Sequence, residues 1–375
     1  MKKVGILTFH HSYNCGSMMQ AVALQNVVKQ LGIKSEIIDF SNEGQRQLYR
    51  TWFPGNTVRN IVKNSILLFH QGRLNECNSS YEEFMKKHMI LSQKKFSTMR
   101  ELSAGDYSTI IAGSDQIWNI TIDDSDDAYF LPWAKDVKKI AYAPSFGAKN
   151  ILKYAEDSSR YAGYLRKFAY LSIRENNGKK WIHDLIGVDV PVVLDPTLLL
   201  TSSFYDTLIE PVNNIPEKFI FYYAPHYDTK INDLVTEISK KTNLPVVGFN
   251  SKAFYVKGLD KRGFILPDKE NPATYLFLIK NASLVITTSF HGTVFSSIFR
   301  KCFWTVKNGG MLGDDDRVAT LTNMLNLNDR LISIAYNDTF DYMVEKDYSV
   351  YEKRLSEYKK ESMKYLSNAL EIYNS

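Results

Sequence analysis

The stretch from Val4 to Phe40 constrains the fold more than any other part of the chain. Val4-Gly5-Ile6-Leu7-Thr8-Phe9 is a short apolar run with the character of a buried strand. A polar turn, His10 to Ser17, follows it. Met18, Met19, Val22, Leu24, Val27, Val28 and Leu31 then recur at helical spacing up to the stop at Gly32. Ser35-Glu36-Ile37-Ile38-Asp39-Phe40 reads as a second strand. Two neighbouring strands joined by a helix lie parallel, because the helix carries the chain back to the end where the first strand began. Parallel sheets need cover on both faces, so the expected class is α/β.

The alternation continues along the chain. Tyr107 to Ala112, Lys139 to Ala143, Tyr170 to Ile173 and Val192 to Leu194 read as strands that end in polar turns. The chain turns loop-like near residue 201, with Asn213-Asn214-Ile215-Pro216 as punctuation. Phe219 to Tyr223 opens a second series: a helix over Ile231 to Ile238, a strand over Leu244 to Phe249, a helix over Thr274 to Ile279, and a strand over Leu284 to Thr288. A length of 375 residues allows two cores. The expected layout is an α/β domain over 1–203, a second over 204–340, and a closing segment over 341–375 that carries a charged helix from Tyr351 to Tyr373.

Composition narrows the function. A formal charge of +5 suits anionic small ligands or a membrane surface, and is too small to argue for nucleic acid as a partner. Cys15, Cys77 and Cys302 lie too far apart for a disulfide framework or a zinc motif, which points to a reducing cytoplasm. No signal-peptide pattern and no membrane-spanning run is seen. Residues 46–73 carry Arg46, Arg50, Arg59, Lys63 and Arg73 with no acid, interleaved with Trp52, Phe53, Ile61, Val62, Leu67, Leu68 and Phe69. That pattern fits a membrane-surface segment, part of an acceptor cleft, or a helical insertion with a solvated basic face. The run Asp123, Asp124, Asp126, Asp127 lacks the Gly and closing Glu of a calcium loop and reads as solvated.

The chemistry is expected at strand ends. Leu284 to Thr288 runs into Ser289-Phe290-His291-Gly292-Thr293, and Phe295, Ile298 and Phe299 continue at helical spacing. Gly292 permits a sharp turn, Ser289 or Thr293 caps the helix, and His291 stands beside amides that attract anions. The plainer alternative is that His291 only hydrogen-bonds the turn. Asn14 and Gly16 hold the equivalent place after the first strand, and Asp115 stands in Gly113-Ser114-Asp115-Gln116-Ile117-Trp118-Asn119 after another.

Together, Asn14-Cys15-Gly16-Ser17 with Gln20, Gly113 to Asn119, Tyr142-Ala143-Pro144-Ser145-Phe146-Gly147, Ser172-Ile173-Arg174-Glu175, Leu194-Asp195-Pro196-Thr197-Leu198, Ser289 to Thr293 and Arg317 resemble the polysaccharide pyruvyl transferases. The resemblance implies two Rossmann-like domains in a GT-B-like arrangement with an interdomain cleft, and a C-terminal helix crossing back to the first domain. It implies transfer of a pyruvyl group from phosphoenolpyruvate, the donor substrate, to a sugar or lipid-linked oligosaccharide of a surface polysaccharide precursor, leaving a cyclic ketal. No cofactor or metal is implied. His291 and Asp115 are the catalytic candidates. Arg174, Ser289, Gly292, Thr293 and Arg317 are the donor candidates, and Asn14, Gly16, Ser17, Gln116 and Trp118 the acceptor candidates. Better-characterised members often carry Arg where this chain has Ser289, so the donor pocket has one cation fewer. Two rival readings stand beside this one: a nucleotide-sugar glycosyltransferase, and a non-catalytic sugar-binding module. A peripheral contact with the inner face of a membrane is a further expectation.

Overall fold

The computed structural model describes residues 3–307 and 315–372. Two five-stranded sheets organise the chain, and every strand pair in them is parallel. The first contains β1 (Lys3–Leu7), β2 (Ser35–Phe40), β3 (Leu91–Phe96), β4 (Tyr107–Ala112) and β5 (Lys138–Ala141), in the order β3-β2-β1-β4-β5. The second contains β6 (Ile220–Tyr223), β7 (Val246–Val247), β8 (Leu284–Thr287), β9 (Phe303–Val306) and β10 (Leu331–Ile332), in the order β10-β9-β8-β6-β7. Strand order reverses between β1 and β4 in the first sheet and between β6 and β8 in the second. Crossovers leave such a point in opposite directions and open a crevice at the carboxyl ends of the strands.

The helix Cys15–Gln30 explains how the halves meet. Almost all of it is buried, from Cys15 to Val28, because it has neighbours on both sides. It packs against the Pro196–Leu199 turn and the Pro272–Asn281 helix as well as its own sheet. One apolar cluster therefore runs from Val4, Met19 and Leu24 through Leu198 to Phe221, Phe295 and Leu366. Each such side chain contributes on the order of 1.5–3 kcal/mol when fully buried. The outer face of each sheet has a cluster of its own, around Trp118 and Phe130 in the first and Tyr222 and Trp304 in the second.

The final helix, Ser349–Ala369, touches both halves. Near its start Tyr351 Oη lies 3.1 Å from Ser297 Oγ, and Arg354 donates to the Asn323 carbonyl at 2.8 Å. Near its end Ser362 Oγ accepts from the Leu194 amide at 3.0 Å, and Tyr365 donates to the Ala141 carbonyl at 2.8 Å. Tyr373 lies outside the described residues.

Two readings are corrected, and a third gains contacts between the halves. Tyr170 to Ile173 and Val192 to Leu194 form single bridges beyond β5, not ladder strands, because only Tyr170, Ile173 and Val192 find register. The acidic run is not uniformly solvated. Asp126 caps the Asp127–Phe130 turn, Asp127 pairs with Arg160 at 3.4 Å, and Asp124 is buried, which pushes its carboxyl up to about 6. Residues 46–73 are a brace between the halves. Arg73 pairs with buried Glu270 at 3.1 Å, His70 stacks on Tyr255 at 3.4 Å, and Lys63 and Lys252 flank Phe53 at 4.3 Å each. Arg73 supplies the counter-charge that buried Glu270 needs, while Arg46 and Arg50 pair with Glu43.

Candidate active site

The two reversal points face each other, and four ionisable side chains meet between them. Asp115 follows β4 with φ +73°, in the left-handed region that re-aims a side chain out of a strand. Its Oδ2 accepts from Ser17 Oγ at 2.6 Å, and its Oδ1 accepts from the Gln116 amide at 2.8 Å. Arg174 comes from the turn before the Asn176–Ile186 helix. Its Nη1 donates to Asp195 Oδ2 at 2.7 Å, its Nη2 lies 3.5 Å from Asp115 Oδ1, and its guanidinium lies 4.3 Å from the Phe290 ring centre. Asp195 also takes the Thr197 amide and hydroxyl on Oδ1, at 3.1 and 2.7 Å. His291, in the first turn of the Phe290–Ile298 helix, brings its Nε2 within 3.5 Å of Asp195 Oδ2. That is an ion-pair distance without hydrogen-bond geometry, and Nε2 has no hydrogen-bond partner among the described residues.

Electrostatics follow from this crowding. Burial alone would push both carboxyls up. His291 and Arg174 outweigh it at Asp195 and hold that carboxyl well below its ordinary range. At Asp115, Arg174, then His291, then the Ser17 hydroxyl do the same. Glu175 behaves in the opposite way. It is fully buried, its Oε1 accepts from the Phe146 amide at 2.8 Å, its Oε2 has no partner among the described residues, and burial pushes it up to about 7.

Glycine sets the position of the histidine. A Cβ on Gly16 would stand 2.2 Å from His291 Nδ1, so only glycine lets the ring lie against the first turn of the Cys15–Gln30 helix. Gly16 therefore seats His291. Asn14 caps the same helix, its Oδ1 accepting from the Gly16 and Ser17 amides at 2.9 and 3.2 Å. Ser17 itself is engaged with Asp115.

Other candidates fall elsewhere. Trp118 is fully buried against Phe130, with its indole N–H on the Tyr129 carbonyl at 3.2 Å. It is a core residue and not an acceptor platform. Gln116 is half-buried, and its Oε1 accepts from Asn119 at 3.1 Å. Gly292 lies within the helix rather than at a sharp turn. Its missing Cβ makes room for Thr287 Oγ1, which would otherwise lie 2.2 Å away. Thr293 is fully buried, and its Oγ1 lies 3.0 Å from the Ser289 carbonyl and 2.7 Å from Thr305 Oγ1, so it ties the helix to β9. Ser289 is the helix cap, accepting from the Gly292 amide at 3.3 Å. Arg317 has its Nε and Nη2 taken by Asp315, at 2.7 and 2.6 Å. Asp195, Phe290 and Glu175 complete the group without having been singled out as site residues. Asp195 was legible as an acid after a short apolar run, the same signal that marked Asp115. A cavity of about 370 Å³ lies apart from the cluster, lined by Ile117, Asn119, Asp126, Phe130, Arg160 and Tyr161 among others.

A family model for polysaccharide pyruvyl transferase matches residues 14–310. The chain belongs to the polysaccharide pyruvyl transferase family. The match takes in Asn14, Asp115, Arg174, Asp195 and His291, so the whole cluster lies inside the family region. No curated protein matches the chain. Among solved structures it is similar to a putative UDP-N-acetylglucosamine 2-epimerase from Listeria monocytogenes, at 10% identity over 98% of this chain and 90% of that one, TM-score 0.49. It is also similar to the S. aureus MnaA–UDP structure, at 11% identity over 100% and 98%, TM-score 0.48. A third is the E. coli heptosyltransferase WaaC with ADP-2-deoxy-2-fluoro heptose, at 11% identity over 82% and 89%, TM-score 0.40.

Proposed function

We propose that the chain transfers the pyruvyl group of phosphoenolpyruvate to two hydroxyls of a sugar in a surface-polysaccharide precursor, forming a cyclic ketal. The observation that carries this reading is the convergence of His291 from one sheet with Arg174, Asp115 and Asp195 from the other, in a member of a transferase family. The reaction needs a proton on the methylene carbon, two new C–O bonds at the adjacent carbon, and loss of phosphate from it. The two sugar hydroxyls supply both protons: one ends on the new methyl group and one on phosphate.

His291 Nε2 is the group free to carry a proton between these places. Asp195 stabilises the imidazolium when it forms. Asp115 orients the acceptor hydroxyl, and its ionised state makes it the proton acceptor for that hydroxyl. The Arg174 Nη2, held only at 3.5 Å by Asp115, and its unpartnered Nε are the donors left for the anionic substrate. Arg317 would have to release Asp315 to join it. The scheme draws on no further cofactor. Thermal melting with each candidate donor tests the choice of substrate, since a ligand of the native state raises the midpoint. Phosphoenolpyruvate should raise it. A rise with UDP- or ADP-sugars and none with phosphoenolpyruvate would favour glycosyl transfer instead.

The same reading places the protein on the cytoplasmic side of a membrane that carries its acceptor. Among the described residues no helix is long and apolar enough to cross a bilayer. The Val58–Leu68 helix nevertheless leaves Val58, Ile61, Val62 and Leu68 in water, and Phe69 is 86% exposed beside them. With Arg59 on the same surface, this is a shape and charge that anionic headgroups accept. Flotation with anionic vesicles should show binding at low salt that weakens at high salt. No binding at either salt removes the membrane from the account.

A further inference from the structure

A second cluster of ionisable groups lies at the carboxyl ends of β1 and β2. The chain bends after Leu7, so His10 and His11, adjacent in sequence, both turn towards Asp39. His10 Nδ1 lies 3.2 Å from the Thr8 carbonyl oxygen. Its Nε2 lies 3.1 Å from Asp39 Oδ1. His11 Nε2 lies 3.2 Å from Glu82 Oε1. His11 Nδ1, buried and without a hydrogen-bond partner among the described residues, faces the same Asp39 oxygen at 3.7 Å. Three potential ligand atoms, one from each residue, lie within 4.8 Å of one another.

We infer that this cluster is a binding site for a divalent transition-metal ion of the zinc class, ligated by His10 Nε2, His11 Nδ1 and Asp39 Oδ1. Tetrahedral coordination with bonds near 2.1 Å sets ligand atoms ~3.4 Å apart. The two distances to Asp39 Oδ1, 3.1 and 3.7 Å, straddle that spacing. Ligating histidines have their other ring N–H fixed by a carbonyl or carboxylate, and both rings here do. Glu82 is itself held by the Tyr13 hydroxyl at 3.0 Å. Lys95, 4.0 Å from Asp39 Oδ2, attends to the other carboxylate oxygen and leaves Oδ1 free. His10 is wholly buried, while the His11 side chain is 23% exposed, so ions enter on the His11 side, where water fills the fourth position. Imidazole and carboxylate donors suit zinc, cobalt and nickel better than magnesium or calcium. The ion would pin the start of the turn that carries Asn14, Gly16 and Ser17 into the active-site cluster.

The rival occupant is one extra proton on each ring, and the test separates the two. Chelator-stripped full-length protein is titrated with Zn²⁺ by calorimetry, and with Co²⁺ by the visible absorption of tetrahedral cobalt. The parent should bind one ion per chain and show the tetrahedral cobalt spectrum. Asp39→Asn and His11→Ala should each weaken binding by at least ~100-fold. Glu82→Gln, which touches no metal, should cost ~10- to 100-fold. His11 and Glu82 lie towards the surface, so their variants report even if Asp39→Asn fails to fold. No binding by the parent, or binding unchanged in the His11 and Glu82 variants, overturns the site.

Discussion

Each half of the molecule presents one strand-to-helix turn to the junction, and the two are finished differently. After β1, Asn14 takes two helix amides on one oxygen and closes the turn on itself. After β8, Ser289 takes only the Gly292 amide, and the Phe290 and His291 amides have no hydrogen-bond partner among the described residues. Open amides at a helix start attract anions, and closed ones do not. The first turn therefore braces the site, through Gly16 on His291 and Ser17 on Asp115. The second is left open on the side where an anionic donor would lie.

The comparison breaks first at His291. His291→Gln keeps much of the size but cannot carry a proton between donor and acceptor. Turnover should fall ~100- to 10,000-fold, with the thermal midpoint little changed. Near-parental turnover would make His291 a structural residue. Gly16→Ala should cost about 100-fold in turnover, because the new Cβ displaces the His291 ring and misplacement by an ångström has that effect. Gly292→Ala presses instead on Thr287 in β8, and should cost about 1–3 kcal/mol of stability measured by urea unfolding. If both glycine variants lose only stability, the brace has no role in positioning.

Asp195→Asn leaves Arg174 and His291 without their shared counter-charge. Breaking such a buried pair typically costs about 3–5 kcal/mol. The folded Asp195 carboxyl is depressed, so its contribution is present above the unfolded pKa and is lost as pH falls through the folded value. The gap between parent and variant should therefore shrink on acidification below pH ~4. Glu175 has the opposite sign. Its folded value is raised from 4.5 to about 7, so the parent loses stability as pH rises through that window. Glu175→Gln does not titrate and should gain on the parent by up to roughly 3 kcal/mol between the two limits. Parallel stability curves for parent and variant would place Glu175 in contact with water.

Much of this fold was legible where burial and periodicity agree. β2 and β4 coincide with their expected runs, and the helix after β1 was found from its apolar spacing although it starts at Cys15. β3 was missed because it is an edge strand, with Gln93, Lys94 and Lys95 all exposed, and such strands carry charge to avoid pairing with other chains. β9 and β10 were not among the expected strands. In the site, polar residues at strand ends pointed to Asp115 and His291. Sequence could not show that Trp118 turns inward, that Gly16 serves His291 from across the junction, or that Arg317 is occupied by its near neighbour Asp315. Those facts depend on which way a side chain leaves the backbone and on partners remote in sequence. The His10–His11–Asp39 group was hidden for the same reason, since no fixed spacing links the end of β1 to the end of β2.

The most direct test of the account is the stoichiometry of the parent reaction. Purified protein is mixed with phosphoenolpyruvate and a diol-bearing sugar acceptor, and free phosphate and product mass are followed together. The account predicts one phosphate released per cyclic ketal formed. Consumption of a nucleotide sugar under the same conditions, with no phosphate released from phosphoenolpyruvate, would contradict it.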